Sequence, residues 1–174
     1  MSEPLLTLVH DPGVDALLGT GRVLERNAVK AVALRGRDLL VLRADSGAVK
    51  LPGGGAEPGE SVADTLRREL AEECAVPLLE VGEELVSTVQ LARPQEPDYD
   101  VFRMTSRHFL CAVGEPEGEP RLEDYEQRLG LEPAWLDVTE AADACAAALR
   151  SGDAVHRWLE RELAVLRLVE ERLG

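Results

Sequence analysis

The sequence predicts an α/β fold, an α/β/α sandwich around one core. Three observations carry that expectation. Apolar β-like runs alternate along the chain with helix-forming stretches. A glycine-rich loop follows one apolar run and leads into an amphipathic helix. No linker, repeat or low-complexity tract divides the 174 residues, so a single domain over 1–174 is the default.

The elements follow in chain order. Residues 5–10 read as a first strand. Residues 28–34 and 39–42 are apolar runs joined by Arg35, Gly36, Arg37 and Asp38 as a hairpin turn. Leu51-Pro52-Gly53-Gly54-Gly55 is not expected to continue a strand, because glycine frees the backbone and proline removes a donor. Pro58-Gly59 makes a second turn, after which Glu60 or Ser61 caps a helix running to Cys74. Its apolar stripe is Val62, Leu66, Leu70 and Cys74.

Residues 84–91 and 101–113 read as longer strands, joined by the proline-bearing loop 93–98. A solvated loop rich in Gly, Pro and Glu spans 114–120. Residues 131–138 form another strand, entering a helix at 139–149 that Thr139 caps. An amphipathic helix over about 154–173 presents Val155, Leu159, Leu163, Leu166 and Val169. It completes the core or supports a homodimer.

Within the first helix, Glu69, Glu72 and Glu73 stand at i, i+3 and i+4, so their carboxylates crowd one side. A run of this kind is usually a solvated acidic face. Here a glycine loop precedes it, with Glu60 and Arg68 at regular spacing. Clustered hard oxygens beside free backbone groups suit Mg²⁺ or Mn²⁺.

Composition narrows the function classes. A net charge of −14 argues against broad nucleic-acid binding, which needs a cationic surface. No apolar segment is long enough to span a bilayer, and Met1-Ser2-Glu3-Pro4 does not resemble an export signal. Cys74, Cys111 and Cys145 are odd in number and far apart, which fits reduced thiols packed in the core of a cytoplasmic protein.

Residues 54–76 fit the pattern G-x5-E-x7-R-E-U-x-E-E-x-G-U, where U is a bulky aliphatic, through Gly54, Glu60, Arg68, Glu69, Leu70, Glu72, Glu73 and Val76. Ala75 stands where the pattern has glycine. The stretch resembles the Nudix box, and the resemblance extends over about 27–149, including the passage from Pro133 to Ala141. It implies a sandwich with a mixed sheet, the Nudix loop-helix-loop, and hydrolysis of a diphosphate linkage. It also implies metal ligands at Glu69, Glu72 and Glu73, with the Gly53 carbonyl as a backbone ligand. The catalytic residues it implies are Glu69, Glu72 and Arg68. Glu69 is either a ligand or the base for the attacking water, and Arg68 holds the carboxylates through an ion pair with Glu60. A glycine at position 75 would leave the helix left-handed, which costs a residue with a side chain roughly 1–2 kcal/mol. A different helix exit is therefore expected.

The expected function is a divalent-metal-dependent pyrophosphohydrolase acting on a nucleoside diphosphate joined to another group. The alternative is a catalytically silent nucleotide sensor, which would usually have lost some of the glutamates retained here. Isoprenoid diphosphate isomerisation on the same fold would need a placed catalytic cysteine that the sequence does not identify. Arg43, Lys50, Arg103 and Arg107 are candidates for holding phosphates, weighed against a role as ordinary surface cations. Phe102 and Tyr99 are candidates for stacking on a base, whereas His108, Trp135 and Trp158 read as packing residues. No marker selects a substrate subclass.

Overall fold

The computed structural model describes residues 6–152 and 157–174. Its strands are β1 (Leu6–Val9), β2 (Val23–Arg35), β3 (Asp38–Arg43), β4 (Val49–Lys50), β5 (Gly53–Gly55), β6 (Leu78–Ala92), β7 (Val101–Val113) and β8 (Glu132–Asp137). Helix α1 (Val62–Cys74) lies between β5 and β6, and α2 (Asp124–Arg128) lies between β7 and β8. The chain ends with α3 (Val138–Ser151) and α4 (Leu159–Leu173). The result is the expected α/β arrangement, a mixed sheet with helices packed on it.

Strand β2 organises the sheet. It runs parallel to β7 from Val23 to Ala33, antiparallel to β5 at Ala28–Lys30, and turns into β3 at Leu34 and Arg35. Strands β6 and β7 are antiparallel, β1 is parallel to β6, and β3 lies between β4 and β8. Gly36 opens the β2–β3 turn at φ +63°, a conformation that glycine reaches without strain.

Period-two alternation sorts the side chains of the three long strands. Ala28 and Lys30 of β2, Gln90 and Ala92 of β6, and Phe102 and Met104 of β7 point into one cleft. Glu25 and Asn27, Ser87 and Val89, and Arg103, Thr105 and Arg107 point to the opposite face. The core lies around β2, β3 and β4. Leu66 and Leu70 of α1, Ala141 and Cys145 of α3, and Val165, Leu166 and Val169 of α4 are all buried there. Thus α4 buries its apolar stripe within its own chain. Val155, expected on the same stripe, lies outside the described residues.

Several local expectations are corrected. Strand β2 begins five residues before the apolar run, and β6 begins at Leu78, six residues before the expected 84. Pairing extends both strands through polar residues that carry no alternation, and the β6–β7 register shifts between Val81 and Glu84 and again before Val86. The glycine run, expected to leave the strand pattern, pairs with β2 as β5. Asp137 rather than Thr139 caps α3, its carboxylate accepting from Thr139 N at 2.8 Å. The short helix α2 was not anticipated, since five residues are too few to show a helical period.

Candidate active site

Ser61 starts α1. Its hydroxyl accepts from Asp64 N at 3.2 Å, and Asp64 in turn accepts from Ser61 N at 3.1 Å. With the start fixed and the Leu66–Leu70–Cys74 stripe buried, Arg68, Glu69, Glu72 and Glu73 face the glycine strand and the segment after β7. The exit is left-handed at Ala75 (φ 54°, ψ 28°), the only described non-glycine residue with positive φ. Ala75 N bonds Ala71 O at 3.2 Å, the 5→1 bond of an αL closure, and Val76 N bonds Leu70 O at 3.3 Å. The expectation of a different exit is overturned. The two capping bonds hold alanine in the conformation that glycine would take.

Arg68 ties the glutamates together. Its Nε and Nη2 donate to the two oxygens of Glu60 at 2.8 and 3.0 Å, and Nη2 also reaches Gly55 O at 2.9 Å. Its Nη1 donates to Glu69 at 2.7 Å and lies 3.4 Å from Glu72. Glu60 also accepts from Glu57 N and Thr65 Oγ1. The Arg68 bond is the largest cause that holds the Glu60 carboxyl at about 2.

The glycines fit this cluster closely. A Cβ on Gly54 would lie 2.5 Å from Glu69 Oε1, so Glu69 packs directly on the bare backbone. A Cβ on Gly53, at φ +125°, would lie 2.2 Å from Val29 O. Glu69 is largely buried and Glu72 is 39% exposed. Burial pushes the Glu69 carboxyl above its usual range, with Arg68 opposing.

Glu73 lies deeper. Its Oε2 accepts from Gly53 N at 2.6 Å, and its Oε1 lies 3.3 Å from Lys50 Nζ. Lys50 also approaches Glu126 Oε1 of α2 at 3.3 Å and Tyr125 Oη at 3.2 Å. Burial pushes the Glu73 carboxyl up, while Lys50 and Lys30 pull the other way. Burial works against the charge on Lys50 as well, but Glu73, Tyr125 and Glu126 outweigh it, so the ammonium stays charged. A second buried lysine, Lys30 of β2, donates to Gly53 O and lies 3.4 Å from Leu51 O. The Gly53 carbonyl, expected as a metal ligand, therefore carries a lysine in this structure.

Two hollows meet at the glycines. The smaller, about 100 Å³, holds Glu69, Glu72, Glu73, Glu123 and Glu126. The larger, about 290 Å³, extends over Ala28, Ala92, Phe102 and Met104 to His10, Gln90, Arg157 and Trp158. Gly53, Gly54, Gly55 and Tyr125 line both. Behind the larger one, Arg161 bonds Gln90 Oε1 at 2.8 Å and Glu162 at 2.6 Å. Glu162 accepts from Leu51 N at 2.9 Å, which anchors α4 to the entry of the glycine strand.

The structure brings Glu69, Glu72, Glu73, Arg68, Gly53 and Lys50 together, but not Arg43, Arg103 or Arg107. Odd positions of β7 face away from the cleft, so Arg103 bonds Glu25 at 2.9 Å and Arg107 bonds Glu84 at 2.6 Å on the opposite face. Arg43 borders a separate hollow beside α3. Phe102 lines the cleft, whereas Tyr99 does not. Trp135 and Trp158 pack against the core as read; Trp158 also lines the cleft, and Arg35 stacks on Trp135 at 4.2 Å. Lys30, Gln90, Tyr125 and Glu126 were missed. A lysine inside the apolar run 28–34 was a usable signal, but the approach of α2 had none. The three cysteines are buried, and burial raises the Cys111 and Cys145 thiols to about 11 and about 12. Burial raises the Cys74 thiol as well, so none suits the isomerase chemistry. No helix among the described residues is long and apolar enough to cross a membrane.

A family model described as the NUDIX domain matches residues 24–168, extending past the expected 27–149 into α4. Among solved structures, the chain is similar to an ADP compounds hydrolase, at 21% identity over 85% of this chain and 72% of that one (TM-score 0.52). It is also similar to a MutT NUDIX hydrolase from Burkholderia pseudomallei, at 20% identity over 67% and 85% (TM-score 0.50). A NUDIX hydrolase from Nitrosomonas europaea is 20% identical over 86% and 88% (TM-score 0.51). At these identities the likeness is one of fold. No curated protein matches the chain in sequence.

Proposed function

The chain belongs to the NUDIX family, hydrolases of pyrophosphate bonds, and from that premise we propose that it cleaves the diphosphate linkage of a nucleoside diphosphate joined to another group, using Mg²⁺ or Mn²⁺. The observation that carries this reading is the seating of Glu69 on the bare backbone of Gly54, with Arg68 bonding Glu69 and lying 3.4 Å from Glu72.

The donor set fits such an ion. Glu69 and Glu72 supply hard carboxylate oxygens, and a side chain on Gly54 would fill the space that Glu69 occupies. Among the described residues no three His, Cys, Asp or Glu groups enclose an ion by themselves. Mg²⁺ is commonly held by one or two carboxylates together with substrate phosphates and water. When bound, the ion neutralises phosphate charge and acidifies a water ligand.

The protein's own residues position the rest. Arg68 fixes the Glu69 and Glu72 carboxylates, and either can accept the proton of the attacking water. Gly53, Gly54 and Gly55 line both hollows, so a diphosphate at their junction would lie against backbone that carries no side chains. The apolar floor of Ala28, Phe102 and Met104 suits a nucleoside, with Arg157 at its edge. Lys30 and Lys50 offset the acidic charge behind the glycines, which lowers the repulsion an anionic substrate meets.

Product analysis tests the reading. Nucleoside triphosphates, nucleotide sugars, ADP-ribose, dinucleoside polyphosphates and capped RNA would be incubated with Mg²⁺ or Mn²⁺, with Glu72→Gln alongside. The expected result is a nucleoside monophosphate or an equivalent cleavage product from at least one, lost without metal and strongly reduced in the variant. Tight binding of a nucleotide with no turnover would overturn the enzyme reading in favour of a sensor.

A further inference from the structure

The inner end of the acidic hollow already holds a cation of the protein's own. Lys50 on β4 is buried between Glu73 of α1 and Glu126 of α2, with Nζ 3.3 Å from one oxygen of each. The remaining oxygens are also committed: Glu73 Oε2 accepts from Gly53 N at 2.6 Å and Glu126 Oε2 accepts from Glu123 N at 3.0 Å. Two carboxylates 2% and 4% exposed cannot both remain buried and ionised without a compensating charge. Beside them, Lys30 occupies the Gly53 carbonyl.

We propose that Lys50 is the resident cation of this inner position, shared between Glu73 and Glu126 and balancing one of their two charges, so that the divalent ion is confined to the outer carboxylates, Glu69 and Glu72. The proposal rests on the metal-dependent reading above. A divalent ion at the inner position would need oxygen ligands at about 2.0–2.2 Å. Lys50 and the two backbone amides hold the carboxylates for a longer, singly charged contact. The lysine also links α2 to α1, which sets the width of the hollow without a metal.

Mn²⁺ binding to the full chain, followed by electron paramagnetic resonance of the free ion, tests this without relying on turnover. Lys50→Met should take up one additional Mn²⁺ per chain, or bind it about tenfold more tightly, because a buried positive charge has been removed from the site. Glu126→Gln should leave Mn²⁺ binding at the wild-type value. If Lys50→Met does not fold, Glu126→Gln decides alone, since loss even of a group that only orients a ligand typically weakens binding by about 10–100-fold and loss of a true ligand should cost at least as much. Weakened binding in Glu126→Gln, or unchanged number and affinity in folded Lys50→Met, overturns the proposal while leaving the metal reading intact. Absence of Mn²⁺ binding in every protein overturns both.

Discussion

Arg68 holds Glu60 in a two-point fork, Nε to one carboxylate oxygen at 2.8 Å and Nη2 to the other at 3.0 Å. The fork leaves Nη1 free to reach Glu69 at 2.7 Å. One guanidinium therefore fixes the loop before α1 and a carboxylate on α1 together. Lysine carries the same charge but cannot make three directed contacts of this kind. Arg68→Lys should lower turnover by about 10–100-fold, the usual cost of losing a group that orients metal ligands. Steady-state kinetics at saturating Mg²⁺ would check this, with the melting temperature showing that the fold persists. Equal turnover in the two proteins would remove Arg68 from the catalytic arrangement.

Gly53 and Gly54 are adjacent but should fail differently. A methyl group on Gly53 meets Val29 O at 2.2 Å and sits at φ +125°, so backbone must move. A methyl group on Gly54 meets the far end of the Glu69 side chain at 2.5 Å, which can rotate away. Gly53→Ala should therefore cost stability, on the order of 1–3 kcal/mol. Gly54→Ala should spare stability and reduce activity by displacing Glu69. Urea unfolding beside product assays separates the two, and a folded, fully active Gly54→Ala would contradict the placement of Glu69.

The contrast shows what the sequence could reveal. Spacing along α1 identified Arg68 and the glutamates because a helix repeats over local distances. Lys50 was legible as a cation near the sheet, but not as the partner of Glu73 and Glu126, since α2 meets α1 only through the fold. Arg103 and Phe102 are neighbours in sequence and lie on opposite faces of β7. Alternation separates them, yet which face lines the cleft depends on register with β2 and β6, which no local pattern encodes.

Ala75 offers a test of stored backbone strain. Its left-handed conformation costs roughly 1–2 kcal/mol, whereas glycine there would give up about 0.4–1 kcal/mol to the freedom of the unfolded chain and a further ~0.8 kcal/mol of buried methyl. These contributions nearly cancel. Ala75→Gly should fall within about 1 kcal/mol of wild type, but a β-branched side chain is far less tolerant of positive φ, so Ala75→Val should lose about 2 kcal/mol or more. Urea denaturation of the three proteins checks the order. Equal stability of the valine and glycine variants would mean that the exit does not use the left-handed closure.

His108 should make stability depend on acid. It is fully buried on β7, its Nδ1 lies 3.3 Å from Val86 O, and its Nε2 has no hydrogen-bond partner among the described residues. A carbonyl only accepts, so the neutral ring carries its proton on Nδ1. Burial lowers its pKa from 6.5 to about 4, with Arg161 and Lys30 adding to the effect and Glu162 opposing it. The folded ring therefore binds fewer protons than the unfolded one between those values. Its contribution is fully present above about pH 6.5 and is lost progressively as pH falls towards about 4, amounting to about 3 kcal/mol. Carboxyl groups as a class also change charge as pH falls, so the informative quantity is a difference. His108→Gln keeps a donor for Val86 O and cannot charge. Urea unfolding free energies of the two proteins at several pH values should converge as pH falls from 6.5 to 4, or cross if the wild type starts only slightly ahead. Parallel curves would show that His108 is not held neutral by burial.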